Sequence, residues 1–247
     1  MDFRGKNIIV TGGASGIGRA VVDGIVAGGG HAIVVDINMD MAMKVVEELG
    51  SENVSAYRVD ISDSEAIRAE YAKILEEKGQ IHGLINNAGI VSTAPFEEIT
   101  QAEWDRVMAI NLTGNFAGIS ALIPSMRANG YGKIVNVSSV AAKLGGGLLG
   151  TAAYASSKAG VIGLTKAVAR ETAADGITCN CVCPSYTVTP MTSNIPEEKR
   201  LQMVNAIPMK RGGTPQEIAN VILFYASDLT SFVTGEISDV DGGITRD

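Results

Sequence analysis

The stretch "TGGASGIG", residues 11–18, decides how the rest of the chain is read. It follows the apolar run "NIIVTG" (7–12) and opens "IGRAVVDGIVAGG" (17–29), whose apolar residues 17, 21, 22, 25 and 26 share one helix face. Strand, glycine turn and helix start therefore come in immediate succession. Glycine permits positive φ and lets a ligand approach the backbone closely. A helix N-terminus offers unpaired N–H groups and partial positive charge to a phosphate. The spacing Gly12-x3-Gly16-x-Gly18 differs from the G-x-G-x-x-G dinucleotide fingerprint, so the strand–turn–helix context carries the assignment. Gly12, Ser15, Gly16, Ile17 and Gly18 are the candidate phosphate-binding residues.

Outward from this turn, apolar strand-like runs alternate with helical patterns. Strands are expected at 31–37, 54–61, 81–89, 132–139, 177–184 and 235–242. Helices are expected at 39–50, 62–79, about 101–129 with a kink at Pro124, and 152–174, with two more beyond 200. Ser62, three residues before Glu65, has capping-box spacing. Near-continuous apolar strands between helices mean a parallel sheet covered on both faces. The expectation is an α/β doubly wound (Rossmann) fold, with seven parallel strands in one domain over 1–247. Ligands then sit beyond the carboxyl ends of the strands.

Asp36 ends the second predicted strand, 18 residues after Gly18. A carboxylate there accepts hydrogen bonds from ribose hydroxyls and repels a 2′-phosphate. Residues 13–15 are Gly, Ala and Ser, with no cation for such a phosphate, so NAD is favoured over NADP. The net charge of −7 and the absence of a basic run argue against nucleic acid. Apolar stretches far shorter than about 18 residues argue against a membrane span. With no signal-like N-terminus, a cytoplasmic location is the default. Cys179, Cys181 and Cys183 alternate along one strand face and read as buried packing groups. With only His31 and His82 elsewhere, no metal site is expected.

These motifs resemble the short-chain dehydrogenase/reductase family, in its 3-oxoacyl-ACP reductase-like subgroup, over nearly the whole chain. "TGGASGIG" looks like its cofactor turn and "NNAG" (86–89) like its fourth-strand motif. The resemblance implies a catalytic set of Asn111, Ser139, Tyr154 and Lys158. It further implies that Asp60 and Ile61 bracket the adenine and that Asn87, Ala88 and Gly89 line the adenosine side. Tyr154 and Lys158 also contact the cofactor, and Thr187 and Thr189 meet the carboxamide of the nicotinamide. A homotetramer is the family's usual assembly.

The residues make a separate case for Tyr154 and Lys158. Four apart, they share a helix face, and an ammonium beside a phenol favours the phenolate. A phenol lowered from about 10 suits a general base near neutral pH. The expected activity is NAD-dependent interconversion of a secondary alcohol and a ketone, with Tyr154 exchanging the proton. Reduction of 3-oxoacyl-ACP is the alternative within the enzyme class, and an NAD-sensing scaffold the alternative outside it. Two departures from the family pattern stand out. The Ser139–Tyr154 interval is 15 residues, about two longer than usual, which leaves Ser138 as an alternative to Ser139. Ser185 replaces the usual Gly after Pro184. Lys143 and Leu149, in the long loop "KLGGGLLG" (143–150), together with Ser185 and Tyr186, are the candidate substrate residues. Segment 186–200, rich in Thr, Ser and Pro, reads as a lid.

Overall fold

Seven strands lie parallel in the order β3-β2-β1-β4-β5-β6-β7 in a computed structural model that describes residues 1–50, 52–147 and 150–245. In chain order the elements begin with β1 (Asn7–Thr11), α1 (Gly16–Ala27), β2 (His31–Asp36) and α2 (Met39–Leu49). Next come β3 (Val54–Arg58), α3 (Ser64–Lys78), β4 (Gly83–Asn86) and α4 (Gln101–Met108). They continue with α5 (Gly114–Asn129), β5 (Gly132–Val137), α6 (Ala141–Leu144) and α7 (Ala152–Thr172). The chain closes with β6 (Ile177–Pro184), α8 (Glu197–Ala206), α9 (Pro215–Ala226) and β7 (Ile237–Val240). The strand order reverses between β1 and β4, and a crevice opens there beyond the strand ends.

Alternation along the strands divides the core between the two faces. Ile8, Val10, Val34, Val135 and Val182 pack with Val21, Ile25, Val45, Ile218 and Ile222 of α1, α2 and α9. Ile9, Ile33, Leu84, Ile134 and Cys179 pack with Ile67, Tyr71, Leu122, Met126 and Val168 of α3, α5 and α7. Every residue of β4, β5 and β6 is buried, as a doubly covered parallel sheet requires. Cys179, Cys181 and Cys183 are fully buried thiols in β6. His31 hydrogen-bonds Glu52 O and Ser55 Oγ, while the His82 ring accepts from Asn7 N, both far from the crevice.

Three expectations are corrected. The cap of α3 is Asp63, not Ser62: Asp63 Oδ1 accepts from Glu65 N at 2.9 Å and Ala66 N at 3.0 Å. The Ser62 hydroxyl instead donates to Asp60 at 2.7 Å. The long helical segment is interrupted by a π turn at Ala109–Thr113, whereas α5 runs through Pro124. There Gly114 closes on Ile61: a Cβ at Gly114 would lie 2.4 Å from Ile61 Cγ2. Finally, Gln101–Asn129 is long and apolar enough to cross a membrane by length and composition alone. Its Ala117, Leu122 and Met126 are fully buried against the sheet, which accounts for that hydropathy within the fold.

The cap assignment is testable. Asp63→Ala should lower unfolding free energy by about 1 kcal/mol, the usual cost of a lost N-cap. Ser62→Ala should cost less than about 0.5 kcal/mol in the same urea titration. Equal losses would contradict the assignment.

Candidate active site

The crevice is a cavity of about 640 Å³ that runs from the glycine turn to the N-terminal end of α7. At one end, α1 begins without a side-chain cap on Ser15 and without an acidic residue in its first turn. Its N–H groups therefore keep their attraction for an anion. Gly12, Ser15, Gly16 and Ile17 line the cavity there. Gly18 does not, but it makes the turn possible: a Cβ on it would sit 2.2 Å from Gly12 O. Asn87 braces the turn from β4, donating from Nδ2 to Thr11 O at 3.0 Å and Gly12 O at 3.3 Å. Thr11 Oγ1 accepts from Asn87 N and Ala88 N, both at 3.0 Å.

Asp36 terminates β2 on the cavity wall. Its carboxylate accepts from Ala14 N at 3.2 Å and Asn38 N at 3.0 Å, and so is aimed across the turn. Asp60 and Ile61 line the same end. The Asp60 carboxylate accepts from Ser62 N and Oγ, which holds its pKa below the usual range. This fits a dinucleotide: an uncapped helix start for the pyrophosphate, and a carboxylate but no turn cation at the ribose.

At the other end, α7 brings Tyr154 and Lys158 beneath the end of β5. The Tyr154 ring lies against the backbone of Gly150, where a Cβ would meet Cδ1 at 2.3 Å. Lys158 is 4% exposed, and its Nζ donates to Val137 O at 2.8 Å. That Nζ lies 5.8 Å from the centre of the Tyr154 ring. Ser139 and Ser138 separate clearly. The Ser138 hydroxyl is buried and donates to Lys158 O at 2.8 Å, tying β5 to α7. Both line the cavity, but it is the Ser139 hydroxyl that stands near Tyr154 and lowers its pKa.

Electrostatics differ from expectation. Burial raises the Tyr154 pKa, and the Ser139 hydrogen bond only partly opposes it. Burial also lowers Lys158 to about 8. The protein alone therefore keeps Tyr154 as a phenol at neutral pH, because burial opposes the phenolate more than the Ser139 hydroxyl favours it.

Asn111 sits in the π turn, fully buried. Its Oδ1 accepts from Ile90 N at 2.9 Å, and its Nδ2 donates to Ile90 O at 2.9 Å and Ser157 Oγ at 3.0 Å. A Cβ on Gly89 would meet Asn111 Oδ1 at 3.1 Å and Lys158 Nζ at 3.3 Å, so both groups flank that glycine.

Ala88, Gly89, Thr187 and Thr189 line the cavity, as do Ser185 and Tyr186. A Cβ on Gly16 would meet the Thr189 side chain at 3.5 Å, so segment 186–200 lies over the glycine turn. Lys143 is placed differently from expectation: its Nζ is 2.7 Å from Asp239 Oδ2 on β7, and it is absent from the cavity wall. Leu149 lies outside the described residues. Met203, Ala206, Ile244 and Arg106 also line the cavity and were not foreseen. Nothing local marks Met203, Ala206 or Ile244. Ser157 likewise gives no sign of its bond to Asn111.

Comparison with known proteins agrees with this geometry. The family model described as enoyl-(acyl carrier protein) reductase matches residues 12–245. An uncharacterised short-chain type dehydrogenase/reductase of Sinorhizobium fredii is 39% identical, covering 99% of each chain. The 3-oxoacyl-[acyl-carrier-protein] reductase FabG of Thermotoga maritima is 40% identical, again over 99% of each. An Agrobacterium tumefaciens crystal structure, provisionally assigned as a gluconate dehydrogenase, superposes with a TM-score of 0.92 at 31% identity, covering 98% of this chain and 97% of that one. With its parallel sheet, its glycine turn and its Ser–Tyr–Lys end of the crevice, the chain belongs to the short-chain dehydrogenase/reductase family of oxidoreductases, in its 3-oxoacyl-ACP reductase-like branch.

Proposed function

We propose that the protein is an NAD(H)-dependent oxidoreductase that interconverts a secondary alcohol and a ketone. The observation that carries this reading is one continuous cavity, with Asp36 and the uncapped α1 at one end and Ser139, Tyr154 and Lys158 at the other. Bound NAD⁺ supplies the hydride acceptor and a positive charge. In this reading Gly12, Ser15, Gly16, Ile17 and Gly18 form the pyrophosphate cradle, and Asp36 holds the adenosine ribose. Asp60, Ile61, Asn87, Ala88 and Gly89 enclose the adenosine, while Thr187 and Thr189 hold the carboxamide.

Ser139 donates a hydrogen bond to the substrate oxygen and holds it against the Tyr154 hydroxyl. In oxidation Tyr154 takes the substrate proton; in reduction it returns one. A protonated Lys158 holds the ribose and favours the phenolate form of Tyr154. Asn111 acts by position, holding Ile90 and facing Lys158 across Gly89.

Reduction of a 3-oxoacyl-ACP is the second reading, favoured by the names of relatives such as the Thermotoga and Escherichia coli proteins. The Asp36 carboxylate and cation-free turn weigh against a 2′-phosphate, and so against NADPH. A scaffold that binds NAD without turnover would not need the Ser139–Tyr154 pair. Exposed Phe116, Phe224 and Phe232 support a homotetramer. The bacterial relatives support a cytoplasmic setting.

Tyr154→Phe should bind NADH as wild type does while kcat falls at least 10³-fold. Substantial residual turnover would remove Tyr154 from its role. Asp36→Asn should lower the preference for NAD over NADP at least tenfold in kcat/KM. An unchanged ratio would place selectivity elsewhere.

Lys158 gives a stability prediction. Its folded pKa of about 8 lies below the 10.5 of an unperturbed lysine, so the ammonium destabilises the fold wherever it is protonated. That cost is complete below about 8 and is released as the pH rises from about 8 towards 10.5. Lys158→Met should therefore be inactive yet more stable, by about 3 kcal/mol at neutral pH. The gain should shrink above pH ~9 in cofactor-free thermal melts. A gain independent of pH would point to packing instead.

A further inference from the structure

We propose that the substrate is a neutral secondary alcohol, or the matching ketone, with a bulky hydrocarbon group on its reacting carbon. The proposal rests on the oxidoreductase reading above and concerns the same cavity. Four charged side chains line that cavity among the described residues: Asp36, Asp60, Arg106 and Lys158. Asp36 and Asp60 lie at the adenosine end, and Arg106 is close enough to Asp60 to lower its pKa. Lys158 lies beneath Tyr154 with its ammonium on Val137 O. Of the four, Arg106 alone reaches the wall beyond Tyr154, where the substrate's remaining atoms must go, at its Val91 edge.

What otherwise stands there is apolar. Val91, Val140, Leu144, Met203 and Ile244 form the wall together with the Tyr186 ring, which packs on Gly212. The polar groups nearby are already engaged within the protein. The Ser185 hydroxyl donates to Asp241 O at 3.0 Å. Thr192 Oγ1 donates to Thr187 O at 2.8 Å and Thr189 O at 3.0 Å. The Lys143 ammonium is paired with Asp239 at 2.7 Å. Among the described residues, hydrogen-bonding capacity left for a substrate is confined to the hydroxyls of Ser139, Tyr154 and Tyr186, too few for a molecule with many polar groups.

A sugar acid or polyol would bring several hydroxyls, or a carboxylate, against this wall. Most of these groups would lose water without gaining a partner, which makes such a site discriminate against it. A hydrocarbon group loses nothing polar there. It would also cover apolar surface now open at the mouth, where Leu144 is 57% and Met191 62% exposed.

The test is a steady-state panel with wild-type enzyme and NAD⁺, comparing 2-alkanols of increasing length, cycloalkyl and aryl carbinols, polyols and sugar acids. Along the 2-alkanols, kcat/KM should rise about fourfold per methylene until the pocket is full. Polyols and sugar acids should lie at least 100-fold below the best carbinol. Ala206→Arg, which sets a cation in the wall, should lower kcat/KM for that carbinol at least tenfold, with NADH binding by fluorescence unchanged. Highest kcat/KM on a polyol or sugar acid, still abolished by Tyr154→Phe, would overturn the substrate class and leave the oxidoreductase reading standing. Faster turnover of a 3-oxoacyl-ACP than of any free carbinol–ketone pair would overturn it too. No turnover of any alcohol or ketone would overturn both.

Discussion

One ammonium, 4% exposed and bonded to the carbonyl of Val137, is the constraint around which this site is arranged. A buried cation is expensive unless it is held by hydrogen bonds, and burial here drives Lys158 to about 8. The surrounding bonds fix where it stands. Ser138 donates to the carbonyl of Lys158 itself, so the end of β5 holds α7 at that residue. The fold thereby places a titratable amine one helical turn from a phenol, at the open end of a sheet whose interior is mostly hydrocarbon.

Tyr154 is not in its working charge state in the protein alone, whereas Lys158, at about 8, is still mostly protonated at neutral pH. Burial disfavours the phenolate and the ammonium together, so each is pushed toward neutrality. The buried ammonium does not by itself bring the phenol down to the phenolate. A positive charge arriving above Tyr154 changes the balance, since it favours the phenolate, and a phenolate in turn favours the ammonium. In the proposed reading, the site becomes reactive as a positively charged nicotinamide binds.

Much of this was legible from residue pattern. The β6 run "ITCNCVCP" occupies 177–184 as read, because a strand buried on both faces keeps even Thr178 and Asn180 inside and stands out from the polar segments that flank it. Tyr154 and Lys158 were legible because the i, i+4 relation is local. The misreadings were of another kind. Ser62 and Asp63 are both competent caps, and the choice between them depends on Asp60, which takes the Ser62 hydroxyl. The break in the long helix follows from contacts between Gly114 and Ile61, far apart in sequence, whereas Pro124 was the only local cue. Lys143 looked available to a substrate because its partner Asp239 lies 96 residues away.

The π turn illustrates why such nonlocal features matter to chemistry. The Asn111 amide has two donors and one strong acceptor, and three bonds use them: two with Ile90 and one with Ser157. Ser157 also donates to Tyr154 O, so its hydroxyl accepts from Asn111 and donates to the backbone of the phenol's own residue. The amide orientation is therefore determined by the protein and needs no ligand. With Nδ2 turned to Ser157, Oδ1 must face Ile90 N and Gly89, the side on which Lys158 Nζ also lies. A Cβ at residue 89 would press on both groups, each of which would have to give by a few tenths of an ångström. The glycine of "NNAG" is thus favoured by what stands opposite it, independently of any contact with a cofactor.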